Sequence, residues 1–238
     1  MNIAIIGYGR MGQTIERLAK DGGHHITGII DIDTSVDHRL QALRDADVAI
    51  EFSNPAAALS NILECINNQT PVVSGTTGWL DQLSDIEKAV EEREGSFFYA
   101  SNYSIGVNLF FAINERMAVL LNGYPSYDVE VTEVHHIHKK DAPSGTAITT
   151  AEGIISHLDR KGSWTMDMPP AIDELTINAR REGEIYGIHE VSYVSEIDTI
   201  KLYHEAHTRD GFAQGAILAA SWLVGKKGVY GMKDLLGI

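Results

Sequence analysis

The first hundred residues alternate short β-branched or aromatic runs with segments of helical periodicity. That alternation predicts a parallel, doubly wound α/β sheet of the Rossmann type, with its ligand at the carboxyl ends of the strands. Residues 2–6 form the first run, and the glycines after it lead into Arg10–Lys20, where Ile15, Leu18 and Ala19 recur at helical spacing. Ile26–Ile30 ends at Asp31. Val48–Phe52 ends in Ser53-Asn54-Pro55, a helix-start signature ahead of Ala56–Ile66. Pro71-Val72-Val73 gives a fourth strand, a helix follows near Asp81–Glu92, and Phe97–Ala100 reads as a fifth strand.

After Asn102 the pattern changes. A helix from about Ile105 to Leu121 leads to a strand at Val129–Val134, then a basic cluster, then a helix from Thr146 to about Leu158. Two β-rich stretches, Glu174–Arg180 and His189–Ala206, follow without an intervening helix, which predicts a separate α+β domain built on an open mixed sheet. Gly162–Pro170 reads as a surface excursion available to a neighbouring subunit, and Phe212–Val224 as a helix. The expected division is a dinucleotide-binding domain over 1–103, completed by C-terminal helices within 212–238, and a substrate-binding and oligomerisation domain over 104–211, with a hinge where the chain crosses.

Gly7-Tyr8-Gly9-Arg10-Met11-Gly12 matches G-x-G-x-x-G between the first strand and its helix. The first glycine turns tightly, the second admits a phosphate to the backbone and the third lets helix and strand approach. Asp31, at the end of the next strand, stands where a carboxylate accepts hydrogen bonds from ribose hydroxyls. Ile32 occupies the place of an arginine that would welcome a 2′-phosphate, so NADH is the expected cofactor, with NADPH weaker. Gly75-Thr76-Thr77 and Ala100-Ser101-Asn102-Tyr103 end later strands and are expected to border the nicotinamide with small residues, amides and one aromatic face.

Charge narrows the partners. With 33 acidic against 19 basic residues the formal charge is −14, which argues against nucleic acid or an anionic membrane. Cys65 is alone and sits in a helix-like apolar pattern, so it reads as a core thiol. The start lacks the pattern of a secretory signal and no run of ~20 apolar residues occurs, so the expected compartment is the cytoplasm.

Against that acidity, His135-His136-Ile137-His138-Lys139-Lys140-Asp141 runs directly into Ala142-Pro143-Ser144-Gly145-Thr146. Lysines and histidines donate protons and hydrogen bonds, and small residues opening a helix leave backbone N–H groups facing an anion. Two other readings remain: a metal shared by His136 and His138, which lie two apart on an extended segment, and a solvated basic loop. The first lacks further ligands at suitable spacing, so no metal is expected. The second leaves the Pro-Ser-Gly-Thr turn unexplained. His189 and His204, in alternating strand patterns, read as hydrogen-bonded sheet residues, Asp141 as a partner that orients Lys139, and Arg209 as one half of an ion pair.

Glu133-Val134-His135-His136-Ile137-His138-Lys139-Lys140-Asp141-Ala142-Pro143-Ser144-Gly145-Thr146-Ala147 resembles the E-x-H-H-x-x-K-x-D-x-P-S-G-T-A signature of the 4-hydroxy-tetrahydrodipicolinate (dihydrodipicolinate) reductase family, without a gap. Gly75-Thr76-Thr77-Gly78, Asn102–Gly106, Arg181-Glu182-Gly183 and Thr208–Ala216 extend the likeness over nearly the whole chain. The resemblance implies hydride transfer from a nicotinamide to a cyclic imine-type dicarboxylate on the route to diaminopimelate and lysine. It implies His135 as general acid/base, Lys139 as proton donor, and His136 with Ser144, Gly145 and Thr146 around the substrate carboxylate. It also implies a homotetramer. The glycine loop is one residue shorter than the common family form, Ile137 stands where many members carry arginine, and Tyr103 replaces a frequent phenylalanine. The rival readings are another semialdehyde or amino-acid dehydrogenase and a non-catalytic NADH-sensing protein.

Overall fold

The computed structural model describes residues 1–238 and divides into two compact units, Met1–Ile105 with Asp210–Ile238, and Gly106–Arg209. The first unit holds six parallel strands in the order β11-β5-β4-β3-β1-β2: β1 (Asn2–Ile6), β2 (His25–Ile30), β3 (Val48–Glu51), β4 (Val72–Ser74), β5 (Ser96–Tyr99) and β11 (Gly228–Tyr230). Strand β1 alternates Ile3 and Ile5 toward one core with Ala4 and Ile6 toward the other, and all four are buried. A strand covered on both faces must be apolar at every position, which is why it reads as a continuous hydrophobic run.

Helices α1 (Arg10–Asp21) and α7 (Asp210–Leu223) cover one face, while α2 (Val36–Arg44), α3 (Pro55–Asn67) and α4 (Leu83–Arg93) cover the other. Ser35 and Asn54 cap α2 and α3 through their side-chain oxygens, and Pro55 occupies the first turn of α3. Strands β1 and β3 are neighbours although β2 lies between them in sequence, so the sheet reverses direction of growth at that pair. Cys65 is fully buried in the second core, as its apolar context predicts, and burial pushes its thiol pKa up.

The C-terminal segment is not all helix. After α7 it adds β11 parallel to β5, with Ser96 and Lys226 hydrogen-bonded beside that pair, and then α8 (Met232–Leu236). Helix α7 carries small residues where it meets the body of the unit. A Cβ on Gly215 would lie 1.8 Å from the Tyr103 carbonyl oxygen, so no larger residue fits.

The second unit is a mixed five-stranded sheet in the order β10-β9-β6-β8-β7: β6 (Asp128–His135), β7 (Ser163–Thr165), β8 (Glu174–Arg181), β9 (Ile188–Val194) and β10 (Thr199–Glu205). The pairs β6–β8 and β7–β8 are parallel, whereas β6–β9 and β9–β10 are antiparallel. Helices α5 (Ile105–Leu121) and α6 (Gly145–Ile155) close one face over Val129, Val131, Leu175, Ile177, Val191 and Tyr193. The β-rich stretch His189–Ala206 is a hairpin of β9 and β10. Gly162–Pro170 is not wholly an excursion, because Ser163–Thr165 pairs with β8 and the buried Lys161 ammonium is held by the carbonyls of Ile172 and Glu174 and by Asp128. No helix is long and apolar enough to cross a membrane.

Candidate active site

In the first unit the glycine loop connects β1 to α1 at the point where the sheet reverses. Gly7 has φ +87°, donates to the Ile30 carbonyl at 2.8 Å, and has no room for a side chain, since a Cβ would lie 2.2 Å from the Phe52 carbonyl oxygen. A Cβ on Gly12 would lie 2.2 Å from the Gly7 carbonyl oxygen, so the third glycine is what lets α1 pack close. Gly9 is different. Nothing stands within 4 Å of its missing side chain, and it opens α1 with no side-chain cap, which leaves the first-turn amides available to an anion.

Two depressions flank this loop. One, of about 280 Å³, includes Gly7, Asp31, Ile32, Arg39, Asn54 and Asn61, and the other, of about 330 Å³, includes Gly9, Arg10, Met11, Ser53, Gly75, Thr76 and Thr77. Tyr8 is half-buried and its hydroxyl donates to Glu16. Asp31 is exposed and accepts from the Ile32 amide at 2.9 Å, while Ile32 is 92% exposed. The two depressions share Ser53 in their linings.

Two residues depart from the reading of the sequence. Tyr103 is 2% exposed, donates to the Ser74 carbonyl at 2.7 Å and lies between Phe52 and Phe98, with ring centroids 5.7 and 5.9 Å away. Its ring is a core element and offers no free aromatic face, because the pattern that ends β5 also turns the chain inward. Ala100 is likewise buried, whereas Ser101 is exposed and Asn102 caps the Ser104 amide at 2.9 Å. The second departure is Glu51, which the sequence reading passed over. This fully buried carboxylate ends β3 and accepts from the Ser53 amide and hydroxyl, from the Ser74 hydroxyl at 2.6 Å and from the Thr76 hydroxyl at 2.9 Å. It fastens together the loops after β3 and β4. An acid closing an otherwise apolar strand, Val48-Ala49-Ile50-Glu51, was its only signal.

In the second unit, strand alternation places Glu133 and His135 on the same helix-covered face as Val129 and Val131. Antiparallel pairing sets Glu133 opposite His189, and parallel pairing sets His135 beside Arg181. Glu133 is fully buried. One of its oxygens accepts from the Ser144 amide and the Arg181 guanidinium, both at 3.1 Å, and the other lies 3.3 Å from His135 Nδ1 and 3.9 Å from His189 Nε2. Burial alone would raise this carboxyl, but His135, Ser144 and Arg181 together bring it down to about 2. Arg181 also donates to the Asp141 carbonyl, closing the cluster over the loop.

His189 is buried as well, with its Nε2 3.4 Å from the Ser144 hydroxyl. Burial first, and the neighbouring His135 charge second, lower it to about 3, so it is neutral in ordinary solution. Its strand pattern suggests a plain sheet histidine, and the structure places it inside the cluster. The i, i+2 spacing of His189, Val191 and Tyr193 carries that information, since it marks all three as inward-facing. Glu133, His135 and His189 also have a donor set that a divalent ion can use. Arg181 already supplies a counter-charge to the carboxylate.

Ser144 caps α6, accepting from the Ala147 amide at 3.2 Å. Gly145 is exposed with open space where a side chain would be, and Thr146 is half-buried next to it, so the opening turn of α6 is accessible. Lys139 is paired with Asp141 at 2.8 Å, as the sequence suggested for that acid. The backbone of the basic loop is held by bonds from Ile137 to Gly183 and from Glu182 to His135. His136 is half-buried with its Nδ1 unpartnered. His138 is exposed 3.6 Å from Glu184, and its ring centroid is 6.2 Å from that of His136. Arg209 lies over the Tyr186 ring, 5.9 Å from its centroid, instead of pairing with an acid. The acid beside it in sequence, Asp210, pairs with Arg17 at 2.9 Å.

Comparison with known proteins places this arrangement. Residues 1–103 match the model of the dihydrodipicolinate reductase N-terminus and residues 106–236 that of its C-terminus. The chain is 45% identical over 236 residues to the 4-hydroxy-tetrahydrodipicolinate reductase of Christiangramia forsetii, covering 99% of this chain and 98% of the relative. It is 37% identical to that of Alkaliphilus oremlandii, covering 100% and 99%. Its fold matches a dipicolinate-bound dihydrodipicolinate reductase from Paenisporosarcina sp. TG-14 with a TM-score of 0.78, at 21% identity and 98% coverage of both chains. With family models over both units and a relative this similar along its full length, the chain belongs to the dihydrodipicolinate reductase family.

Proposed function

We propose that the chain catalyses the NAD(P)H-dependent reduction of 4-hydroxy-tetrahydrodipicolinate to tetrahydrodipicolinate, with NADH preferred. The observation that carries this reading is the buried Glu133–His135 pair standing beside Lys139 and the open first turn of α6. Full-length similarity to curated reductases supports it. The first unit suits a dinucleotide by its own geometry: an uncapped helix start at Gly9, a positive-φ Gly7 and an exposed Asp31. The nicotinamide, when bound, supplies a hydride to the substrate's electrophilic carbon.

The protein's own groups handle the charge. His136, the Thr146 hydroxyl and the amides of Gly145 and Thr146 hold a substrate carboxylate, at the end of a helix dipole that favours anions. Lys139, aimed by Asp141, neutralises the negative charge that builds on the imine as it is reduced and delivers a proton. Glu133 faces His135 Nδ1 at 3.3 Å and leaves Nε2 for acid/base work. The Gly7–Gly12 loop and Asp31 bind pyrophosphate and ribose. Gly75, Thr76, Thr77, Ser101 and Asn102 border the nicotinamide. Exposed Tyr203 and Val194, on the face of the second unit's sheet away from its helices, form the contact of a homotetramer acting in the cytoplasm.

A coupled assay with freshly generated substrate, following loss of nicotinamide absorbance, tests the reading. Lys139→Ala and His135→Ala are each expected to lower kcat at least ~100-fold while NADH affinity is retained. Full activity in the double variant would contradict the assigned roles. Cofactor binding without turnover in the unmodified protein would favour an NADH sensor instead.

A further inference from the structure

The depression at the end of β2 contains one cation. Arg39 of α2 lines it together with Asp31 and Ile32, although Arg39 lies seven positions beyond Ile32, where a phosphate-reading arginine is expected. Its guanidinium is not available as a fork. The Nε donates to Glu64 at 3.0 Å, and a terminal nitrogen donates both to Glu64 and, at 3.0 Å, to the Asn61 side-chain oxygen. Glu64 and Asn61 both project from α3, and both side chains of the ion pair are mostly shielded, with 20% and 24% exposure.

A guanidinium recognises phosphate through two parallel N–H bonds, and a carboxylate uses the same two. With Glu64 in that position, Arg39 adds no net charge to the depression, whereas Asp31 adds a negative one. A 2′-phosphate brought there meets repulsion from Asp31 and an arginine already neutralised. A ribose carrying a free hydroxyl meets only the Asp31 acceptor.

Asn61 makes this arrangement rigid. Its oxygen accepts from Arg39 while its amide donates to the Ser53 hydroxyl at 3.2 Å, and Ser53 in turn donates to buried Glu51. The arginine is thus held by a continuous polar chain running back beneath the loops after β3 and β4.

We infer that Glu64 is a specificity-determining residue, which holds Arg39 neutralised and so makes the groove discriminate against cofactors bearing a 2′-phosphate. This inference rests on the proposal that the depression takes the adenosine end of the cofactor. It goes further in assigning the choice between NADH and NADPH to a residue on α3 that touches neither.

The test is the ratio of Kd for NADPH to Kd for NADH, measured by nicotinamide fluorescence on the full-length protein. Glu64→Gln keeps a neutral acceptor for Arg39 and is expected to lower that ratio about tenfold or more, chiefly by tightening NADPH, the scale of one released charge-assisted pair. Arg39→Met in the Glu64→Gln background is expected to restore the original ratio. An unchanged ratio in Glu64→Gln, with NADH still bound and the melting temperature retained, would overturn the inference. So would a lowered ratio that survives Arg39→Met. Failure of the unmodified protein to bind NADH at all would remove the assignment of the groove itself, an outcome distinct from both.

Discussion

The two candidate clusters are built on opposite principles. The glycine loop of the first unit works by what is missing: side chains are excluded at Gly7 and Gly12, and Gly9 leaves space over uncapped amides. The cluster of the second unit works by what is packed in: a fully buried carboxylate with two buried histidines and an arginine drawn around it. The first arrangement offers shape and dipoles to a ligand. The second holds charge in a medium where charge is costly, so that it persists only while every member is present.

Substitutions that respect one principle and violate the other separate the two. The largest effect is expected from Gly7→Ala, which forces φ +87° on a residue with a side chain and drives that side chain against the Phe52 carbonyl. It should cost about 2–3 kcal/mol of stability, read as a fall in Tm, and weaken NADH together with it. Gly9→Ala should leave Tm nearly unchanged and weaken NADH about tenfold, because the added methyl occupies ligand space and touches no protein atom. Equal Tm losses in the two variants would erase the distinction between a glycine that shapes the loop and one that leaves room for a ligand.

Glu133→Gln comes next. It leaves the volume of the second cluster unchanged but removes the anion facing His135 and Arg181, and kcat is expected to fall about tenfold or more with NADH affinity retained. Wild-type kcat in this variant would reduce Glu133 to a packing residue.

The smallest effect is a pH slope. Glu133 sits near 2 against an ordinary 4.5, and His189 near 3 against 6.5, so in both cases the folded state takes up protons less readily than the unfolded chain. Lower pH therefore destabilises the fold: the His189 part is lost from about pH 6.5 downward to about 3, and the Glu133 part from about 4.5 downward to about 2. Urea unfolding across that range should show His189→Gln flattening the upper part of the slope. An unchanged slope would mean that His189 is not held neutral by burial.

The same contrast explains what the sequence reveals. The glycine loop, Asp31, the βα alternation and the helix caps are local, and each lies within a few positions of the feature that produces it. Lys139 and Asp141 meet for the same reason. His189 and Arg181 reach Glu133 from 56 and 48 positions away, through a strand register that no local pattern specifies. Glu51 was hidden differently, since its donors arrive from three loops and strands that meet only when β3 and β4 pair. Tyr103 shows the reverse error, because an aromatic residue in a conspicuous motif is also an ordinary filler of the core.

Helix α7 begins at residue 210 yet supplies part of one wall of a unit whose first five strands are finished by residue 99. During synthesis, the part of that face on β3, β4 and β5, which α7 covers, therefore stays bare while more than a hundred intervening residues emerge. A ribosome-stalled or C-terminally clipped chain would hold a nearly complete sheet with part of one side wet, and is the form of this protein most in need of a chaperone.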